Sequence, residues 1–215
     1  MKIVAGMATM QGREEVYKIA KKSLEDAGVE VNVYHNHKES VDYTDNAKFF
    51  FLQNYKEPVI YLSVDDDLFY TKEYVHQIVQ GVKRYGCIVT MHGRKLLGKG
   101  RNYYKGHKSY SCLRTEKETA YIDVCGTGVT AFNTEYFNPT ELYKSSFKKM
   151  SDIIFSLEAI KSDKKIVHLA HNRGVVRYLH PPKNTTIHYT EHKNCEVQSK
   201  LADDIYDLRR NSERS

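Results

Sequence analysis

The most concentrated chemistry in the chain is Val64-Asp65-Asp66-Asp67-Leu68, where an apolar run stops at three consecutive carboxylates. Like charges packed this tightly repel one another unless a cation neutralises them, and hard carboxylate oxygens suit Mg²⁺ or Mn²⁺. Asp65 and Asp67 are the candidate metal ligands. His171, which follows a later apolar run with His168, is a candidate third ligand through its imidazole. The triplet also reads as an exposed acidic turn, since helix N-termini welcome Asp. A further carboxylate, Asp152, stands where a helical period begins. It is a candidate to take a proton from an attacking hydroxyl, and equally an ordinary helix start. Arg13, Lys48 and His171 are candidate phosphate contacts, and His92, beside Gly93 at another strand end, is a candidate to face a ligand. Gly126 and Gly128, around Thr127, let backbone approach a ligand closely or form a tight turn.

These residues act together only if the fold gathers them. Ile3 to Met7 reads as a buried strand, Glu14 to Ala27 as a helix ending at Gly28, and Val29 to Tyr34 as a second strand, which together make a β-α-β unit. Asp45 to Asn54 reads as a helix, Pro58 to Val64 as a strand, Thr71 to Tyr85 as a helix and Cys87 to Met91 as a strand. The segment from His92 to Glu118 sustains no period and reads as a long functional loop. Ala120 to Val124 and Val129 to Phe132 read as strands, Ser151 to Lys161 as a helix, Lys165 to Ala170 as a last strand and Glu196 to Arg209 as a terminal helix. Alternation of this kind predicts an α/β fold: one Rossmann-like domain over residues 1–175 with a mostly parallel central sheet, then a basic C-terminal extension over 176–215. Ligands of such sheets bind beyond the carboxyl ends of the strands, where Asp65 to Asp67 fall.

The 215 residues suffice to bury a core, with 40% hydrophobic and 28% charged residues, and no run of roughly 18 apolar residues that would span a bilayer. The start lacks a signal peptide's apolar stretch, so the expected location is cytoplasmic, or the host cytoplasm for a phage-encoded protein. Cys87, Cys112, Cys125 and Cys195 form no C-x-x-C pair and read as free thiols. The net charge of +6 favours an anionic partner or reflects a solvated basic face.

Four blocks stand in order: Ala8-Thr9-Met10-Gln11-Gly12-Arg13; Asp45-Asn46-Ala47-Lys48; Asp65-Asp66-Asp67 with Tyr70 and Tyr74; and Val124-Cys125-Gly126-Thr127-Gly128 with the later Met150-Ser151-Asp152. Over residues 3 to 170 they resemble the GT-A nucleotide-sugar glycosyltransferases, particularly the small family-2-like enzymes of bacteria and phages. The resemblance implies a GT-A fold and metal-dependent sugar transfer from a nucleotide-sugar, with a UDP-sugar favoured. It implies that Ala8, Thr9 and Arg13 receive the nucleotide, and that Asp45 and Lys48 approach the base and diphosphate, although Asn46-Ala47 stands where a glycine is usual. Asp66 and His92 join the donor contacts beside the metal ligands Asp65, Asp67 and His171. Gly126, Thr127 and Gly128 form the acceptor-side turn, and Asp152 is the base of an inverting enzyme.

The acceptor is read from residues 94–110, where Lys95, Lys99, Arg101, Lys105 and Lys108 interleave with Tyr103, Tyr104 and Tyr110 as phosphate-tracking, base-stacking surfaces do. With the basic C-terminal extension this points to DNA, through a hydroxymethylated base flipped from the stack. A cell-surface polysaccharide fits the same residues. A nucleotidyltransferase, or a nucleic-acid-binding protein without catalysis, are the readings from other classes; the second leaves Asp65 to Asp67 unexplained.

Overall fold

The computed structural model describes residues 1–182, 185 and 195–212. Strand β1 (Ile3–Thr9) is almost wholly buried and lies between β2 (Glu30–His35) and β3 (Ile60–Asp65), parallel to both. A strand with no polar face needs cover on both sides of its sheet. Helices α1 (Glu14–Glu25) and α2 (Lys72–Tyr85) cover one side. The acidic first turn of α1 suits the helix dipole, and the chain then turns at Gly28, φ +82°, a conformation glycine tolerates. The Thr71 hydroxyl caps α2 by accepting the Tyr74 amide, and Gly86 ends that helix in the left-handed region at φ 57°.

Beyond β4 (Leu68–Tyr70), the sheet continues with β5 (Ile88–Thr90), β8 (Ala120–Tyr121), β10 (Val129–Asn133) and β11 (Ile166–His168). Its order is β2-β1-β3-β10-β5-β11-β8. Strands β10 and β8 run against their neighbours and the other five are parallel, so the expected mostly parallel α/β sheet is present. Alternation along the strands sorts the core by face. Met7, Leu62 and Val64 pack towards α1 and α2, whereas Val4 and Tyr61 pack with Phe49, Leu52 and Phe155 on the other side.

Three expected elements differ, the first being the strand expected over Ala120 to Val124, which is split between β8 in the main sheet and a second short strand, Val124–Cys125, in another. Thr44–Asn54 forms a 3-10 helix rather than an α-helix. At three residues per turn Asn46, Phe49 and Leu52 eclipse on one face, and all three are fully buried. The expected loop over 92–118 holds a hairpin of β6 (Gly93–Leu96) and β7 (His107–Tyr110), extended by β9 (Val124–Cys125) into a three-stranded sheet. Its period was hidden because Lys95 and Lys108 stand directly opposite each other, an unfavourable pair unless each finds an acid. Lys95 meets Asp123 at 3.3 Å and Lys108 meets Glu118 at 2.5 Å.

Helix α3 (Ser151–Lys161) is apolar on two faces, as suits a helix covered on both. Ile154, Phe155 and Ala159 join the sheet core, while Ile153 and Ile160 meet Leu201, Ala202 and Ile205 of helix α4 (Glu196–Ser212) and Tyr103 of the hairpin. Strand β12 (Val176–Tyr178) pairs antiparallel with β4. Among the described residues no helix is long and apolar enough to cross a membrane.

Candidate functional site

Strand β3 delivers Asp65 at its end, and Tyr70 fixes the backbone there. The Tyr70 hydroxyl accepts the Asp65 amide at 2.8 Å and donates towards the carbonyls of Gly128, at 2.7 Å, and Asp65, at 3.1 Å. The Asp65 carboxylate packs over Gly128 so closely that a Cβ at residue 128 would lie 2.1 Å from Oδ2. Gly128 is therefore glycine because of Asp65, and the antiparallel course of β10 is what brings this turn to the strand end.

The three carboxylates differ in surroundings. Asp66 is buried; it accepts the Thr9 hydroxyl at 2.7 Å and pairs with Arg13. Burial pushes its carboxyl above the usual range, with Arg13 and Thr9 acting against that. Arg13 also donates to the Thr185 carbonyl at 2.6 Å and hydroxyl at 3.1 Å. Thr9, Arg13 and Asp66 thus brace one another beneath the site. Asp67 lies 3.5 Å from Arg13 and remains partly open, and burial followed by the charges of Asp65 and Asp66 pushes its carboxyl up to about 7. Crowded acids of this kind mark functional clefts.

Lys48 is the second cation at the site. Its side chain is only 4% exposed and its ammonium pairs with Asp65 Oδ1. Its carbonyl accepts the Tyr61 hydroxyl at 2.6 Å across Gly6, where any Cβ would collide with both. Burial lowers the lysine pKa, but Asp65, Asp45 and Asp152 outweigh it and hold the group above its ordinary value. Asp45 faces the other way. Its carboxylate accepts the backbone amides of Lys149, at 2.7 Å, and Ser151, at 2.9 Å, so it caps α3 from a distant segment.

That cap sets Asp152, in the first turn of α3. Both the amide and the hydroxyl of Thr127 donate to Asp152 Oδ1 at 2.7 Å, leaving Oδ2 without a hydrogen-bond donor among the described residues. Gly126 lies flat against the His92 ring, where a Cβ would meet Cδ2 at 2.6 Å. Burial holds His92 below the usual imidazole range, with Asp152 and Asp65 pulling the other way, so it stands in the field of both carboxylates.

Two cavities share one wall. The larger, about 510 Å³, is lined by Ala8, Thr9, Arg13, Asp66 and Asp67 on the β1–β3 side; the smaller, about 320 Å³, by Thr127, Asp152, Arg94, Tyr103, Tyr104 and Gln198. Asp45, Lys48, Asp65 and Lys149 line both. No protein-family model and no curated protein matches the chain. Among solved structures, A197 from STIV is similar at a TM-score of 0.41 and 16% identity, over 79% of this chain and 82% of that one.

Of the residues singled out in the sequence, Ala8, Thr9, Arg13, Asp45, Lys48, Asp65, Asp66, Asp67, Thr127 and Asp152 line these two cavities, whereas His92, Gly126, Gly128 and His171 line neither. His171 is also corrected as a metal ligand. Its Nδ1 lies 2.8 Å from the Leu169 carbonyl and its Nε2 3.2 Å from that of Ser111, and the residue is buried in a bridge to Glu116. Among the described residues no three His, Cys, Asp or Glu side chains gather as a cation's ligands would. Arg94, Lys149 and Gln198 escaped the sequence reading. Arg94 stacks on Tyr103, its guanidinium 4.2 Å from the ring, and donates to the Tyr103 hydroxyl. Only its place just past the β5 strand end could have signalled it. The hairpin's positive charge is smaller in effect than its composition implies, because Lys95, Lys99, Lys108 and Arg114 all have acidic partners.

Proposed function

We propose that the protein is a GT-A-type glycosyltransferase that moves a sugar from a nucleotide donor, a UDP-sugar in the first instance, to an acceptor hydroxyl with inversion. The observation that carries the reading is the shared wall: an acidic strand end borders one cavity, a carboxylate at a helix start borders the other, and Asp65 with Lys48 stands between them. The larger cavity suits the donor and the smaller suits the acceptor.

The donor set fits a divalent cation of modest coordination by protein. Asp65 and Asp67 offer two carboxylates, and Mg²⁺ or Mn²⁺ is commonly held by one or two carboxylates with substrate phosphates completing the shell. Such an ion, when bound, supplies counter-charge to the departing diphosphate. The chain's own residues do the rest. Lys48 presents a buried ammonium to the same phosphates. Asp152, oriented by the two Thr127 bonds, takes the acceptor proton at Oδ2 as the hydroxyl attacks the anomeric carbon. Thr127, rather than His92, sets the orientation of that base.

The acceptor ring sits against Arg94, Tyr103 and Tyr104. The paired hairpin lysines favour a ring-stacking acceptor, such as a saccharide, over a long phosphate-tracking one, and the DNA acceptor inferred from composition is left with Arg101, Lys105 and the hairpin tyrosines.

The test is incubation with a panel of nucleotide-sugars and Mn²⁺, following donor hydrolysis and transfer. Asp152→Asn keeps shape and removes basicity, so transfer falls about 10²-fold to 10⁴-fold while donor affinity by calorimetry stays within about twofold. Neither hydrolysis nor calorimetric binding of any nucleotide-sugar would end the reading. Near-native transfer by Asp152→Asn, or a product of retained configuration, would remove Asp152 as base.

A further inference from the structure

Lys48 is costly to bury. A lysine ammonium at 4% exposure requires a partner of opposite charge, and here that partner is Asp65 Oδ1, the carboxylate proposed to hold the cation. Asp65 has little freedom to turn away, because its other oxygen rests on the Gly128 backbone. The strand end then carries three acidic charges, Asp65, Asp66 and Asp67, against two basic ones, Arg13 and Lys48. The two basic groups offset most of this acidic charge, so a free divalent ion is only weakly attracted. Arg13 is committed below to Asp66 and Thr185, so Lys48 is the cation whose partner can change.

We infer that Lys48 is a resident counter-ion that makes divalent-cation binding conditional on a diphosphate-bearing ligand. The inference rests on the donor-site reading above. Without the ligand, a cation approaching Asp65 must displace a buried ammonium that then lacks a strong partner. With a diphosphate in the larger cavity, the ammonium moves its contact from Asp65 to a phosphate oxygen, and the freed carboxylate oxygen, still held in place over Gly128, is open to the cation. No buried charge is left unpaired at either stage. Lys48 lines both cavities, so its ammonium is within reach of either side of the shared wall. No covalent bond forms or breaks in this exchange.

The experiment measures Mn²⁺ binding by electron paramagnetic resonance, with UDP absent and at saturation, on the whole protein and on Lys48→Met and Lys48→Gln, each checked for folding by circular dichroism. In the wild type, UDP tightens Mn²⁺ at least tenfold, and by linkage Mn²⁺ tightens UDP by the same factor. In a folded Lys48 variant, Mn²⁺ binds UDP-free protein at least tenfold more tightly than it binds UDP-free wild type, and the UDP effect shrinks. UDP affinity measured in chelator falls in the same variant, because a phosphate partner is gone. Coupling in the wild type alone also follows from phosphates completing the cation's shell, so the variants decide, with Lys48→Leu added if neither of the first two folds. Mn²⁺ affinity independent of UDP in the wild type overturns the inference and the metal-diphosphate reading together, since no phosphate would then complete the cation's shell. Lys48→Met or Lys48→Gln that binds Mn²⁺ no better than wild type also overturns it. No Mn²⁺ binding with or without UDP overturns the donor-site reading as well.

Discussion

Asp45 tests the structure against the sequence resemblance, because the two give it different work. The resemblance places it near a nucleotide base; the structure spends its carboxylate on the amides of Lys149 and Ser151 at 2.7 and 2.9 Å, with the Thr44 hydroxyl at 3.1 Å. Losing a helix cap typically costs about 0.5–2 kcal/mol, and hydrogen bonds to a charged group contribute about 1.5–3 kcal/mol each. Asp45 is half-buried, so water replaces part of what is lost. The expected cost of Asp45→Ala is therefore about 2–4 kcal/mol. At about 2–4 °C per kcal/mol for a chain of this size, Tm falls by roughly 5–15 °C. Asp45→Asn keeps one acceptor oxygen and should lose about half as much. Thermal melts followed by circular dichroism give the first answer, and calorimetry with UDP gives the second. An Asp45→Ala protein melting within about 2 °C of wild type, but with UDP affinity down more than tenfold, would refute the capping argument and restore the nucleotide role.

Three further outcomes follow from the same geometry. The Asp67 carboxyl, raised from 3.8 to about 7 by burial and then by Asp65 and Asp66, holds a proton in the folded state that the unfolded chain has already lost between those values. Metal-free stability therefore falls as pH rises through that window; Asp67→Asn removes the effect and is more stable than wild type by up to a few kcal/mol at pH 8 while matching it near pH 4, which Tm against pH will show. Gly128→Ala drives a methyl into Asp65 Oδ2, so it should cost about 1–3 kcal/mol by denaturant titration and abolish transfer. Asp203 accepts the Gly100 amide at 2.8 Å and Asp207 pairs with Lys99, so replacing both with Ala should speed amide exchange at the hairpin tip and raise acceptor KM, with donor affinity unchanged.

The sequence carried the frame well where neighbours along the chain decide the outcome. Strand β3, helix α3 and the Thr71 start of α2 follow from local apolar patterns and caps, and the parallel sheet follows from their alternation. The gathering of Thr9 and Asp65 was legible because strand ends in such a sheet converge, while Arg13 and Lys48 were placed beside them by the family resemblance. What each residue does once gathered was not legible. Asp45 meets amides 104 and 106 positions away, and Arg13 meets Asp66 53 positions away, so their partners are products of the folded chain and no local pattern announces them. His171 misled because a histidine after a strand end looks available until the Ser111 and Leu169 carbonyls surround it. The hairpin was missed because its strands are short and basic, and their compensating acids Asp123 and Glu118 lie outside them.

The polarity of the sheet has a practical use in handling the protein. The five parallel strands end at the cleft, so the turns that lead into β2 and β5 lie at the opposite edge, and Lys83 near one of them is exposed. Cys87, Cys112 and Cys125 are buried, and burial pushes their thiols up to between about 11 and about 12, which leaves them poor nucleophiles towards maleimides. With half-buried Cys195 replaced by Ser, a cysteine introduced at Lys83 becomes the reactive thiol among the described residues. A fluorophore or surface tether attached there leaves both cavities facing solution, oriented for ligand to arrive from the bulk.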